Sequence, residues 1–162
     1  MDILWSPWRN QYVTAEERQL GCVFCRLAQG EGEEFDASHF VLFRGQSNFI
    51  VLNLFPYNTA HLMIIPYAHL AILSDVAKET TDEMMDLAKR AQEIIQIEYK
   101  PDGYNLGMNL GKAAGAGVAE HLHLHVMPRW SGDANFMTTI GETRVLSESL
   151  PDTYRRLKKH FA

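Results

Sequence analysis

Residues 121–126 read His-Leu-His-Leu-His-Val, and no other stretch restricts the fold of this chain so tightly. Side chains alternate across a strand, so His121, His123 and His125 share one face while Leu122, Leu124 and Val126 share the other. The apolar alternates need a core behind them and thereby set the register. Three imidazoles on the opposite face are costly to bury together and do nothing for a core that Val or Ile would not do better. The segment predicts a strand over His121–Met127 with an apolar back and a chemically equipped front. The plain alternative is the polar outer face of a sheet that happens to use histidine.

The remaining periodicities supply partners for that strand. His39–Arg44 and Asn48–Leu54 are rich in Val, Ile, Phe and Leu and flank Gly45-Gln46-Ser47, which predicts a hairpin. His61–Pro66 predicts a third strand and Tyr104–Leu110 a fourth. Between them Met84, Leu87, Ala88, Ala91, Ile94 and Ile95 recur at helical spacing, and Thr80 with Glu83 fits a capping box, so one long helix is predicted from about Thr81 to Tyr99. Pro101-Asp102-Gly103 stops it. The tail from about Ser147 reads as a second amphipathic helix. Its basic residues Arg155, Arg156, Lys158 and Lys159 suit the helix dipole and otherwise read as a solvated face. The expected class is α+β, a five-stranded antiparallel sheet with one long helix and a C-terminal helix.

No internal repeat and no Pro- or Ser-rich linker divides the 162 residues, so a single domain over 1–162 is expected, with 1–20 as an N-terminal extension and 147–162 as the closing helix. The longest apolar stretches, such as Phe49–Leu52 and Leu62–Pro66, are far too short to span a membrane. The opening residues lack the basic and apolar regions of a signal peptide, which predicts a cytoplasmic protein. A net charge of −5 argues against coating duplex nucleic acid, so any anionic ligand must be held locally. The chain has 2 cysteines, Cys22 and Cys25, and their C-x-x-C spacing is consistent with half a zinc site, a redox pair or free structural thiols.

Alternate residues in a strand lie roughly 6.5–7 Å apart, too far for adjacent imidazoles to converge easily on one ion. The three histidines are therefore expected to divide the labour. Imidazole suits attack on phosphorus, because the phosphoramidate it forms is readily displaced. The small residues of Gly111-Lys112-Ala113-Ala114-Gly115-Ala116-Gly117 would then let backbone N–H groups approach phosphate oxygens.

His121-Leu122-His123-Leu124-His125-Val126-Met127, followed by Pro128 and Arg129, resembles the His-φ-His-φ-His-φ-φ signature of the histidine triad (HIT) family of nucleotide-binding hydrolases and transferases. Trp5-Ser6-Pro7-Trp8-Arg9 and Gly132-Asp133-Ala134-Asn135-Phe136 resemble the bacterial branch that contains diadenosine tetraphosphate phosphorylases and related hydrolases. The resemblance implies that His123 attacks the α-phosphorus to form a nucleotidyl-histidine intermediate and that His125 contacts the phosphate. It implies that Asn53 binds the ribose, that Asn109 and the backbone around Ala116, Gly117 and Val118 contact phosphate, and that His61 lies near the site. For His61 a purely supporting role in the sheet stands beside that one. Gly117 stands where hydrolases of diadenosine triphosphate carry glutamine, and the loop from Asn109 to His121 is about one residue longer than theirs. Both features resemble the phosphorylase branch, in which inorganic phosphate replaces water.

Zinc-bearing members of that family resemble this chain in their C-x-x-C, in a histidine shortly after the third strand and in the first triad histidine. The resemblance thus implies a structural Zn2+ on Cys22, Cys25, His69 and His121. It also implies a homodimer. The activity so implied is cleavage of dinucleoside polyphosphates, diadenosine tetraphosphate foremost, yielding ADP plus ATP by phosphorolysis or AMP plus ATP by hydrolysis. The alternatives are an adenosine 5'-phosphoramidase and a nucleotide-binding sensor with little turnover.

Overall fold

Antiparallel pairing organises the chain. The computed structural model describes residues 21–134, 138, 140, 141 and 146–161. The predicted extension 1–20 and the Asn135-Phe136 end of the second bacterial motif lie outside the described residues. Two short helices, α1 (Val23–Gln29) and α2 (Glu33–Ser38), lead into the strands β1 (Val41–Arg44), β2 (Asn48–Leu52) and β3 (Leu62–Pro66). The long helix α3 (Lys78–Tyr99) follows, then β4 (Gly103–Gly107), β5 (Leu124–Arg129) and α4 (Leu150–Lys158). The sheet order is β1-β2-β3-β5-β4, every neighbouring pair antiparallel, so the fold is the expected α+β sheet of five strands.

Alternation sorts the apolar residues onto two faces. On the back, Leu42, Ile50, Leu52, Leu62, Ile64, Leu122, Leu124 and Val126 pack against the α3 stripe of Met84, Leu87, Ala88, Ala91, Ile94 and Ile95. Each such side chain stabilises the fold by roughly 1.5–3 kcal/mol on burial. The front carries a smaller cluster in which Phe24 and Leu27 of α1 cover Val41, Phe49, Val51, Met63 and Ile65. Helix α3 ends at Lys100, which adopts a left-handed conformation (φ 47°) before Pro101.

Several local expectations are corrected. Helix α3 begins at Lys78, with no side-chain cap at Ala77, and the Thr80/Glu83 capping box does not form. Glu83 instead accepts hydrogen bonds from Gln46 N (2.6 Å), Ser47 N (2.7 Å) and Asn48 Nδ2 (2.7 Å), clamping the β1–β2 turn to the helix. Burial would raise the Glu83 carboxyl, but the donors from Asn48, Gln46 and Ser47 outweigh it and hold the group below its ordinary value. The fifth strand starts at Leu124, not His121. Leu122 N donates to Leu70 O (2.7 Å), so the backbone here bonds to the segment after β3 before the strand ladder begins. The basic tail is more than a solvated face: Arg156 pairs with Glu148 (2.9 Å), Lys159 with Glu98 (2.8 Å), and Lys158 Nζ donates to Leu42 O (2.9 Å). With Tyr154, Leu157 and Phe161 in the back core, these contacts fasten α4 to α3 and β1.

Glu83→Ala removes the acceptor of the Gln46 and Ser47 amides and one of the two acceptors of Asn48 Nδ2, the other being Thr80 O. We expect it to lower unfolding stability by about 1.5–3 kcal/mol, read as a reduced midpoint in urea at unchanged slope.

Candidate active site and metal centre

The front of the sheet beside β5 holds two constellations, and backbone carbonyls decide which histidine serves which. His121 is fully buried and its Nε2 lies 2.9 Å from Pro66 O at the end of β3. A carbonyl only accepts, so Nε2 carries the proton and the Nδ1 lone pair is free. That Nδ1 lies 3.4 Å from Cys22 Sγ and 3.6 Å from Cys25 Sγ, while Cys25 Sγ lies 3.1 Å from His69 Nδ1. Four ligand atoms, from Cys22, Cys25, His69 and His121, thus lie within 4.8 Å of one another.

Local structure explains the convergence. Cys22 caps α1 and Cys25 sits one turn into it, so both sulfurs project from the same helix end. The Leu122–Leu70 hydrogen bond draws the loop after β3 beside the entry to β5, leaving the His69 and His121 rings 5.0 Å apart. Two thiols and two imidazoles at these spacings suit a tetrahedral metal ion, and the Pro66 carbonyl fixes the His121 tautomer from behind. Burial and the adjacent Cys22 push the Cys25 thiol above its ordinary value. A bound cation supplies the charge that makes paired thiolates favourable. The cluster can therefore hold a metal, and the fit leaves no open position.

His123 and His125 belong to the second constellation. His123 Nδ1 lies 2.9 Å from the carbonyl of His121, so Nδ1 is the donor and Nε2 keeps its lone pair. The His123 ring lies 5.0 Å from Phe24 and 4.8 Å from His125, both in edge contact. Burial lowers its pKa and keeps it neutral.

His61, 1% exposed, orders the proton positions of its neighbour. Its Nδ1 accepts from Tyr57 N (3.1 Å), with Asn53 Nδ2 at 3.4 Å, and its Nε2 lies 2.9 Å from His125 Nδ1. A backbone N–H only donates, so neutral His61 is protonated on Nε2 and donates to His125. His125 is then protonated on its own Nε2. Burial, with His125 and His123 alongside, pushes His61 down to about 3, and burial with His123 pushes His125 down to about 4. The pair stays neutral near neutral pH, giving one imidazole that accepts (His123) and one that donates (His125).

Asn53 spends part of its amide here: Oδ1 accepts from Phe55 N (2.9 Å) and Nδ2 reaches His61. Asn109 is half-buried just past β4. Ala116 and Gly117 lie in the loop before the histidines, and Val118 packs into the front cluster. At the far end of β5, Asp133 accepts from Arg129, Trp130 N and Asn58 Nδ2, and these contacts, Arg129 foremost, hold it down to about 2. Sequence reasoning missed Phe24, the Tyr57 amide and the Pro66 and Leu70 carbonyls. Phe24 could have been noticed as a bulky residue between two cysteines, whereas backbone groups leave no trace in a sequence.

A protein with this sheet, and with histidines at these positions, belongs to the histidine triad class. The family model described as HIT domain matches residues 34–132, and the chain belongs to that family. It is 38% identical over 170 residues to a Mycobacterium tuberculosis protein named AP-4-A phosphorylase, covering 98% of this chain and 84% of that one. A crystal structure of a Zn-bound histidine triad family protein from Mycobacterium smegmatis superposes with TM-score 0.69 at 27% identity, covering 88% and 94% of the two chains. The Plasmodium falciparum diadenosine triphosphate hydrolase shares the fold, with TM-score 0.62 at 17% identity over 75% of this chain and 76% of that one. No described helix is long and apolar enough to cross a membrane.

Because His61 and His125 bind protons less readily when folded than at the ordinary 6.5, the unfolded chain takes up more protons below that value. Their contribution to stability is fully present above pH 6.5 and is lost as pH falls towards 4 and 3. Thermal unfolding of the native protein should therefore shift down through this window, with a shallower slope in His61→Leu.

Proposed function

We propose that this chain cleaves dinucleoside polyphosphates by nucleotidyl transfer through His123, with diadenosine tetraphosphate as the leading substrate. The observation that carries the reading is the proton order from Tyr57 N through His61 to His125, beside a His123 whose Nδ1 is held by the His121 carbonyl. It provides a lone pair on His123 Nε2 and a donor on His125 Nε2 within one pair of touching rings. The AP-4-A phosphorylase named above supports the choice of substrate.

In this mechanism His123 Nε2 attacks the α-phosphorus, and the bond from that phosphorus to the bridging oxygen breaks. The electron pair leaves with the departing nucleoside polyphosphate. His125 Nε2–H donates to a phosphoryl oxygen and stabilises the charge that gathers there, an effect of the kind worth about 2.7–4 kcal/mol per donor. As the His123 ring becomes cationic on phosphorylation, its Nδ1–H bond to the His121 carbonyl strengthens. A second nucleophile, phosphate or water, then displaces the histidine. Asn53 would hold the ribose with the amide proton not engaged by His61, and Asn109 with the loop backbone at Ala116, Gly117 and Val118 would meet the phosphates.

The metal at Cys22, Cys25, His69 and His121 is assigned as Zn2+, supported by the donor set and by the Zn-bound relative. When bound, zinc supplies a structural tie between α1, the loop after β3 and the entry to β5, and no chemistry on the substrate. His121 thereby serves the catalytic strand indirectly, since its carbonyl orients His123. The reading carries a single domain over the whole chain and a homodimer as part of the proposal.

His123→Ala should abolish turnover of diadenosine tetraphosphate while leaving the fold intact by circular dichroism, and undiminished cleavage would refute the nucleophile. Product analysis with and without added phosphate distinguishes ADP plus ATP from AMP plus ATP. A folded wild-type protein that makes neither, yet binds AMP, would be a sensor module instead. Metal analysis of the purified protein should find stoichiometric zinc that is lost in Cys22→Ser; full retention in that variant would exclude these ligands.

A further inference from the structure

The loop between β4 and the histidines carries a cation for which the mechanism above has no use. Gly107 pairs with His125 across the β4–β5 ladder, and the chain re-enters the site at His121, so this loop leaves and returns beside the histidines. A side chain at Gly107 would meet nothing within 4 Å, so the ground opposite His125 is open. The loop is not featureless. Lys112–Ala114 forms a single 3-10 turn, closed by Ala114 N to Gly111 O (3.3 Å) and Gly115 N to Lys112 O (3.0 Å). It is bracketed by Gly111 (φ +82°) and Gly115 (φ +86°), conformations that side chains rarely adopt.

Lys112 is exposed on that turn, and no described acid pairs with it. The cations on the strands themselves are spent: Arg44 on Asp36 (2.7 Å) and Arg129 on Asp133 (2.7 Å). Arg129 also pairs with Gly103, at the opposite end of the ladder from Gly107, roughly 13 Å along β5 from His125. A polyphosphate carries negative charge on every phosphorus. The phosphates beyond the α-phosphorus have no cationic partner among the groups described so far.

We propose that Lys112 is a specificity-determining residue that binds the distal phosphates of the leaving nucleoside polyphosphate and sets the preference for long phosphate chains. The inference rests on the nucleotidyl-transfer reading of His123. Its contact is a flexible ammonium against a multiply charged anion at an exposed position. The effect is therefore moderate, about fivefold in KM, and screened by salt.

The test compares wild type, Lys112→Gln and Lys112→Arg on diadenosine tetraphosphate and on adenosine 5'-phosphoramidate, whose leaving group has no phosphate. Lys112→Gln should raise KM for the tetraphosphate about fivefold. It should leave kcat and the phosphoramidate kinetics unchanged and flatten the rise of KM with ionic strength. Lys112→Arg should restore the wild-type values. Equal changes on both substrates, or none, overturn the proposal. Calorimetric binding of ATP and AMP reads the same contact without turnover: ATP should weaken in Lys112→Gln and AMP should not. If wild type cleaves neither substrate but ATP binding still depends on Lys112, the catalytic reading fails and the phosphate contact stands. ATP binding unaffected by Lys112→Gln overturns the contact whatever the turnover.

Discussion

Leu122, Leu124 and Val126 pack against helix α3, and because an extended chain alternates its side chains, that packing commits His121, His123 and His125 to the other side. Everything at the site follows from this commitment. A slip of one residue would bury the imidazoles under α3 and expose the apolar alternates, an exchange that costs far more than any local contact could recover. The back core thus specifies the front chemistry without touching it.

The front face is then subdivided by hydrogen bonds to backbone atoms. Pro66 O takes the proton side of His121 and turns its lone pair to the cysteines; His121 O takes the proton side of His123 and leaves its Nε2 lone pair unengaged by that bond. Tyr57 N imposes the reverse order on His61 and, through it, on His125. Three neighbouring imidazoles of the same type acquire different hydrogen-bonding surroundings because each meets a different fixed partner. Burial reinforces the arrangement by disfavouring the charged forms that would scramble the donors and acceptors.

Much of the fold was legible because it is local. The β1–β2 hairpin and the apolar stripe of α3 announce themselves through period and turn chemistry, and both stand within a few residues of where the pattern places them. Other features depended on distant neighbours. Glu83 has the spacing of a capping box, yet its carboxylate is drawn to the turn at Gln46–Asn48, which offers three donors where the helix offers one. Arg156, Lys158 and Lys159 look like a solvated face until Glu148, Glu98 and the Leu42 carbonyl are folded against them. The strand at 121–127 begins later than its alternation suggests because Leu122 finds its partner in Leu70.

The order of residues by itself determined which side chains share a face, since alternation is a property of the backbone and needs no neighbour. It therefore marked the three histidines as a group and the two cysteines as a pair. The family resemblance named His121 with Cys22, Cys25 and His69, but only the tertiary structure shows why these four converge while His123 and His125 face elsewhere. That division depends on where β3 ends, on the Leu70–Leu122 hydrogen bond and on which nitrogen of each ring faces a carbonyl. These are relations between backbone groups far apart in the chain, which carry no residue-specific signature.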